Sequence, residues 1–398
     1  MPKQTRIQTK PKYNISRRTN ALSPSGIRKF FDLVYSMPDA ISLGVGEPDF
    51  VTPWHIREYA IESIEKGQTM YTSNSGIIEL RKELNKYLKN EYGVDYDPNT
   101  EMLVTVGVSE GLDLAMRAII NIGDEVIISD PAYVAYASAV ILADGVPVSV
   151  PTYESNSFAL EAKDVEKYIT QKTRAILIGY PSNPTGAVMS KEQLTAIAKL
   201  AQKHNLIVVS DEIYSKLVYG VTHTCIASLP GMKEHTVLLN GFSKAFAMTG
   251  WRVGYACAPK EIITAMTKIH QYSMMCVSTM GQMAAIEALR NGAESVKEMV
   301  DDYSRRRLVI VKGLRDIGLT CFEPKGAFYA FPSIKCTGMT SEEFAEKLLE
   351  EEKVAAVPGS AFGKCGEGYI RCSYATSLPK IEEALKRMRR FVNKYRKA

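Results

Sequence analysis

Apolar runs of four to six residues, each closed by small or polar residues, recur through the middle of the chain. The clearest are "EMLVTVG", "DEVIISD", "RAILIGY", "NLIVVSD" and "TVLLNG". Each leads into small or polar residues and then a helical pattern, as "EMLVTVG" does into "VSEGLDLAMRAII" and "DEVIISD" into "PAYVAYASAVILA". Strands buried on both faces read as continuous apolar runs, and helix-length spacing between them predicts βαβ units. The expected fold class is α/β, with a mainly parallel sheet covered by helices. The residues with unusual chemistry fall just after these runs, at the carboxyl ends of the predicted strands. Open α/β sheets bind ligands along that edge.

The two ends of the chain read differently. From about residue 290 a long helical pattern runs into "GLTCFEPKGAFYAFPSI", which alternates like an antiparallel strand. "TSEEFAEKLLEEE" opens on Thr340 and an acidic first turn, as a helix start does. "VAAVPG" and "YIRCSYA" read as further strands. In "LPKIEEALKRMRRFVNKYRKA" the residues Ile381, Ala384, Leu385, Met388, Phe391 and Val392 share one helical face. The expectation is a large α/β domain over 50–290. A smaller α+β domain is built from 1–49 and 291–398.

Composition narrows the class without naming a chemistry. Of 398 residues, 45% are hydrophobic and 23% charged, which is ordinary for a globular protein. The formal charge of +5 suits small anions and does not require nucleic acid. Seven cysteines without a C-x-x-C pair read as reduced thiols and a cytoplasmic location. The five histidines show no ligand spacing, so no metal is expected. No apolar run approaches a membrane span. The basic start "MPKQTRIQTKPKYNISRRTN" lacks the apolar core of a secretory signal. It is expected to be a solvated arm or a segment packed on a neighbouring subunit.

Several residues invite a chemical reading, each beside a plainer one. "TVGVSEG" would expose the backbone N–H groups of Gly107, Val108 and Ser109 at a helix N-terminus, where an anion is stabilised. Many strand-to-helix turns contain glycine, so this turn alone decides little. Arg252 in "GWRVG" and Ser243 could complete a phosphate cradle. Asp211 ends an apolar strand, where a carboxylate is costly unless it meets a cation or caps a helix. Tyr214 lies three residues on. Asn183 in "YPSNPTG" reads alone as a turn residue, and Lys244 in "NGFSKAFAMTG" as a surface lysine.

Taken together and in order, "SLGVGEPDF", "YTSNSGIIELRKEL", "YPSNPTG", "SDEIY", "SKAFAMTGWRVGY" and "GYIRCSYA" resemble the class I, fold-type I pyridoxal-phosphate aminotransferases. The likeness runs from about residue 22 to the end and is greatest with the bacterial and archaeal aspartate/aromatic subgroup. It implies pyridoxal 5'-phosphate as cofactor and transfer of an amino group from an L-amino acid to a 2-oxo acid. Lys244 matches the lysine that bonds to the cofactor aldehyde. Asp211 matches the partner of the pyridine nitrogen, while Tyr214 and Asn183 match the donors to the phenolic oxygen. Tyr133 matches the aromatic stacked on the ring. Ser243, Arg252 and the backbone at Val108 and Ser109 match the phosphate site. Tyr71 matches a tyrosine that reaches the neighbouring subunit's cofactor, implying a homodimer. Arg371 matches the arginine that grips the substrate carboxylate, beside a backbone contact at Gly46.

These roles are physically coherent. A carboxylate against the ring nitrogen keeps it protonated and makes the ring an electron sink. A neutral Lys244 can carry a proton from the substrate Cα, and Arg252 nearby is expected to lower its pKa. Rival readings use the same scaffold for a C–S β-elimination or a decarboxylation, or transaminate alanine or an acylated diamino acid. A regulator would need a DNA-binding helix pair ahead of the scaffold, which the first 20 residues do not suggest. A nicotinamide dehydrogenase fails, because no G-x-G-x-x-G follows the first strand.

Overall fold

The computed structural model describes residues 13–22, 37 and 39–397. Its strands in chain order are β1 (Ile41–Ser42), β2 (Met102–Thr105), β3 (Glu125–Asp130), β4 (Val146–Pro151), β5 (Thr173–Gly179) and β6 (Ile207–Asp211). They continue as β7 (Thr236–Gly241), β8 (Gly254–Cys257), β9 (Tyr329–Ala330), β10 (Val354–Ala355), β11 (Val357–Pro358) and β12 (Ile370–Ser373). A seven-stranded sheet has the order β2-β8-β7-β6-β5-β3-β4. Only β8 runs against its neighbours β2 and β7. The five apolar runs form β2, β3, β5, β6 and β7, so the α/β expectation holds.

Burial explains why those runs are continuous. Along β3, Val126 and Ile128 pack against Leu112, Met116 and Ile263 on one face of the sheet. Ile127 turns to the other, against Leu194, Ile197 and Val208. With both faces covered, both sets of alternating positions are mainly apolar, and the polar residues fall at the strand ends.

Two connections depart from the helical expectation. The stretches after β6 and β7 hold turns, and the chain from β7 to β8 returns as an antiparallel partner. Phe242, Ala245, Phe246 and Met248 are nevertheless buried, so their apolar spacing reflects packing rather than a helix. The expected antiparallel strand across "GLTCFEPKGAFYAFPSI" shrinks to β9 plus isolated bridges at Cys321, Gly326 and Ser333. Pro324 and Pro332 offer no backbone N–H there, and Ala327 sits at φ 55°.

The C-terminal part follows its pattern more closely. A 24-residue helix spans Ala293–Asp316. Thr340 caps the helix Ser341–Glu352 by accepting the Glu343 N–H at 3.2 Å. In the helix Leu378–Tyr395, Ile381, Ala384, Met388, Phe391 and Val392 are buried. The strand β1 pairs with β10, tying residues 41–42 to this C-terminal part. Most of the basic arm, residues 1–12, lies outside the described residues. Its later part is placed by Arg18, which donates to the Leu142 carbonyl at 3.3 Å and faces Asp144. Among the described residues no helix is long and apolar enough to cross a membrane.

Candidate active site

A cavity of about 1110 Å³ opens at the carboxyl ends of β2, β5, β6 and β7. It is lined by Gly46, Val108, Ser109, Tyr133, Asn183, Asp211, Tyr214, Ser243, Lys244, Arg252 and Arg371. Residues spread over more than 300 positions of sequence are thus brought to one place. Of the candidate site residues singled out above, Gly107, immediately before Val108, and Tyr71 are not among them. Tyr71 is 82% exposed, beside an equally exposed Met70.

Asp211 is the last residue of β6, where strand geometry delivers it to the cavity floor. Its Oδ2 accepts from the Tyr136 hydroxyl at 2.9 Å and its Oδ1 from the Ile213 N–H at 3.1 Å. Burial, the largest cause, pushes its carboxyl up to about 6. Tyr136 reaches it only because residue 179 is glycine: a Cβ there would lie 2.0 Å from the tyrosine oxygen. Tyr133, one helical turn before Tyr136, meets that ring edge-on at 5.6 Å.

Lys244 follows the end of β7 by three residues and is half-buried. Its Nζ donates to the Gly46 carbonyl at 2.6 Å. Its pKa is lowered to about 8, first by burial, against an opposing pull from Glu47. The cations Arg371 and Arg252 come after these. Arg252 lowers the lysine's pKa as expected, but it is a minor cause: the low-dielectric surroundings do most of it, and Arg371 outranks Arg252.

The phosphate-like corner is built by close approach. The helix Gly107–Ile119 starts with Gly107 at φ 71°, and its first N–H groups have no partner within the helix. A Cβ on Gly107 would sit 2.5 Å from Arg252 Nη2. The Glu110 carboxylate accepts the Val106 N–H at 2.5 Å and fixes the turn from behind. Ser243 is buried beside this corner.

Across the cavity, β12 presents Arg371, which is 2% exposed. Its Nη1 donates to Asn183 Oδ1 at 2.8 Å and its Nη2 to the Gly44 carbonyl at 2.6 Å. Its Nε is buried without a hydrogen-bond partner, and Nη1 and Nη2 each make only one of these bonds, so N–H groups remain for a planar acceptor. The guanidinium lies 4.5 Å from the Tyr329 ring centroid and 4.9 Å from that of Phe362. The Tyr329 and Tyr214 hydroxyls are 2.7 Å apart.

Comparison with known proteins agrees with this geometry. Residues 38–388 match the family described as aminotransferase class I and II. The chain belongs to that family.

It is 57% identical to a putative aminotransferase of Bacillus subtilis, over 96% of this chain and 98% of that one. It is 51% identical to an aspartate aminotransferase of Pyrococcus abyssi, over 94% and 97%. The crystal structure of an aromatic aminotransferase from Pyrococcus horikoshii superposes with a TM-score of 0.89 at 48% identity, covering 92% of this chain and 99% of that one. The chain is accordingly a pyridoxal-phosphate-dependent transaminase of amino acids. The elimination reading is not favoured.

The residues present fit that cofactor. A buried carboxylate with a raised pKa suits a ring cation, and a helix N-terminus crowded by an arginine suits a phosphate. A lysine titrating near 8 suits an aldehyde. Sequence reasoning missed Tyr136, Tyr329 and Glu47. Tyr136 had one available signal, its position one helical turn after Tyr133 in "DPAYVAY". Tyr329 had only an apolar neighbourhood.

Proposed function

We propose that this transaminase takes its amino group from an L-amino acid of the aspartate or aromatic type. It passes the group to a 2-oxo acid such as 2-oxoglutarate in two half-reactions. The cavity wall carries the argument. Among the described residues its cations are Lys244, Arg252 and Arg371, each engaged by lysine chemistry, phosphate or α-carboxylate. The surfaces left for a donor side chain include Val45, Leu112, Ala139 and Leu142, with the carboxylates of Glu47 and Asp113 among them. Among these residues, that favours an aromatic or other apolar donor, and the second carboxylate of an acceptor such as 2-oxoglutarate would need a cation from beyond them.

The cofactor, when bound, supplies an aldehyde to capture the amino group and a conjugated ring to accept electron density. The chain's own groups do the rest. Asp211 holds a proton on the ring nitrogen, its position fixed by Tyr136 and Ile213. Tyr133 stacks on the ring, and Tyr214 donates to the phenolic oxygen. Asn183 does so through its amide N–H₂, because its Oδ1 is taken by Arg371. Ser243, Arg252 and the N–H groups of Val108 and Ser109 hold the phosphate. Arg371 and the backbone at Gly46 hold the α-carboxylate. Lys244 Nζ, neutral above about pH 8, would take the proton from the substrate Cα and deliver it to the cofactor carbon that had carried the aldehyde, and would run the same transfer in reverse with the 2-oxo acid.

Two further readings go with this one. Tyr71 completes the site of a second copy in a homodimer. Support comes from a cleft of about 690 Å³ that shares Glu47 and Arg252 with the cavity. It comes also from the exposed Val51, Trp54 and Met70 nearby in sequence. The chain divides into a cofactor-binding domain over 50–290 and a small domain of 1–49 and 291–398, and it works in the cytoplasm.

The test is an absorbance spectrum of the cofactor-loaded protein with single amino acids and no 2-oxo acid. Conversion of the cofactor band with release of the matching 2-oxo acid, fastest for phenylalanine or tyrosine, is expected. Conversion by aspartate alone would overturn the apolar preference. Release of ammonia or carbon dioxide would overturn the reaction.

A further inference from the structure

We propose that Tyr329 is a positioning residue serving two ends of the site at once. Its hydroxyl donates to Tyr214, turning Tyr214's own proton toward the cofactor, while its ring carries the Arg371 guanidinium. The inference rests on the roles given above to Tyr214 and Arg371.

Tyr329 is fully buried on β9, opposite Ser373 of the strand that bears Arg371. Its oxygen lies 2.7 Å from that of Tyr214, a residue 115 positions earlier, just beyond β6. Burial raises both hydroxyls above the usual phenol range, so each keeps its proton at neutral pH. Two hydroxyls in contact share one hydrogen bond, and only one of them donates into it.

The surroundings decide which. The Tyr329 oxygen is closed in by the Gly46 backbone, where an added Cβ would lie only 2.7 Å away. Tyr214 faces the reacting lysine, with Lys244 Nζ 5.9 Å from its ring centroid. Both tyrosines line the cavity, but the Tyr329 oxygen is the one crowded against Gly46, so its proton is best placed on Tyr214, whereas the Tyr214 proton can turn to the cavity beside Lys244. The arrangement that satisfies both is Tyr329 donating to Tyr214 and Tyr214 donating into the cavity. Meanwhile Arg371 Cζ stands 4.5 Å from the Tyr329 ring centroid, a distance that favours a desolvated guanidinium over the aromatic face. Gly46 is therefore required twice: its carbonyl meets Lys244, and its missing side chain makes room for this tyrosine.

Substitutions separate the two jobs. In holoenzyme, Tyr329→Phe keeps the ring and loses the hydroxyl. The visible chromophore of the lysine-bound cofactor should then titrate about half a unit to one unit higher, a roughly three- to tenfold change in proton affinity. The same variant should show a lower kcat and a KM for amino donors within about twofold of the parent. Tyr329→Leu should show the same spectral shift and, in addition, a KM raised about fivefold or more for every donor. Tyr214→Phe is the control and should shift the chromophore at least as far. The double variant Tyr214→Phe/Tyr329→Phe should shift it no further.

An unshifted chromophore in Tyr329→Phe, beside a shifted one in Tyr214→Phe, overturns the proposal and leaves the reading of Tyr214 intact. No shift in Tyr214→Phe overturns both. A KM in Tyr329→Phe as high as in Tyr329→Leu overturns the supporting role of the ring. If the leucine variant does not fold, the phenylalanine variant still decides the hydroxyl's role.

Discussion

Gly107→Ala offers a direct test of how the phosphate corner is assembled. Residue 107 stands at φ 71°, and an alanine Cβ would come within 2.5 Å of Arg252 Nη2 and 3.0 Å of its Cζ. Two effects follow. The left-handed backbone costs a non-glycine residue about 1–2 kcal/mol of stability. In a chain of this length that lowers the melting temperature by only about 1–3 °C. The contact with Arg252 is different in kind, because a guanidinium at the end of a flexible side chain can swing aside. The fold survives, but the arginine leaves the place where a phosphate would meet it. Losing one charge-assisted contact costs about 1.5–3 kcal/mol, so cofactor affinity should fall roughly 10- to 150-fold. The assay is spectral titration of cofactor-free protein with pyridoxal phosphate, run beside thermal melting. Arg252→Ala should lose a similar affinity, and the double variant little more, since both remove the same contact. Full affinity in a Gly107→Ala protein that melts slightly early would show that Arg252 does not depend on this glycine.

Other outcomes follow from the same geometry. Lys244→Ala should abolish transamination with the fold intact, and normal turnover would remove Lys244 from the chemistry. In cofactor-free parent protein, acylation of Lys244 should become half-maximal near the pH of about 8 set mainly by its burial. A profile like that of surface lysines would contradict this. Arg371→Lys replaces a fork by a point charge and should raise KM about 10- to 100-fold for every amino acid, as steady-state kinetics would show. For Asp211, burial raises the folded-state pKa above the unfolded one. The folded cofactor-free chain therefore binds this proton more tightly, and stability is lost as pH rises from about 4 to about 6, by on the order of 3 kcal/mol. Asp211→Asn, neutral throughout, should be the more stable apoprotein above pH 6 in urea titrations, with the gap closing toward pH 4. A gap independent of pH would falsify the assignment.

What could be read in advance divides along a physical line. A strand buried on both faces is apolar along most of its middle, with polar residues gathered toward its ends, so β2, β3, β5, β6 and β7 announce themselves. The edge strand β4 mixes valine with proline and serine and is partly exposed, and the four residues of β8 are too short to carry a pattern. Helical spacing in "FSKAFAMTG" misled because burying residues in a turn and burying one face of a helix can leave the same mark on a sequence. Lys244, Asp211 and Arg371 were marked by the family resemblance of the motifs that carry them rather than by their own surroundings, and the structure brings them to one cavity. Tyr136 and Tyr329, which contact them, were not marked. Tyr136 and Asp211 are 75 residues apart, and Tyr214 and Tyr329 are 115 apart. Nothing local in either partner fixes which face it turns to the other. The acidity of Lys244 belongs to the same class. Arg252 stood near it in the sequence, but the larger influences are burial and, from distant segments, Glu47 and Arg371. A site of this kind therefore discloses its place through the strand ends and its candidate reactants through motif resemblance. Their tuning is disclosed only when sheet order and the returning C-terminal segment bring the supporting side chains into contact.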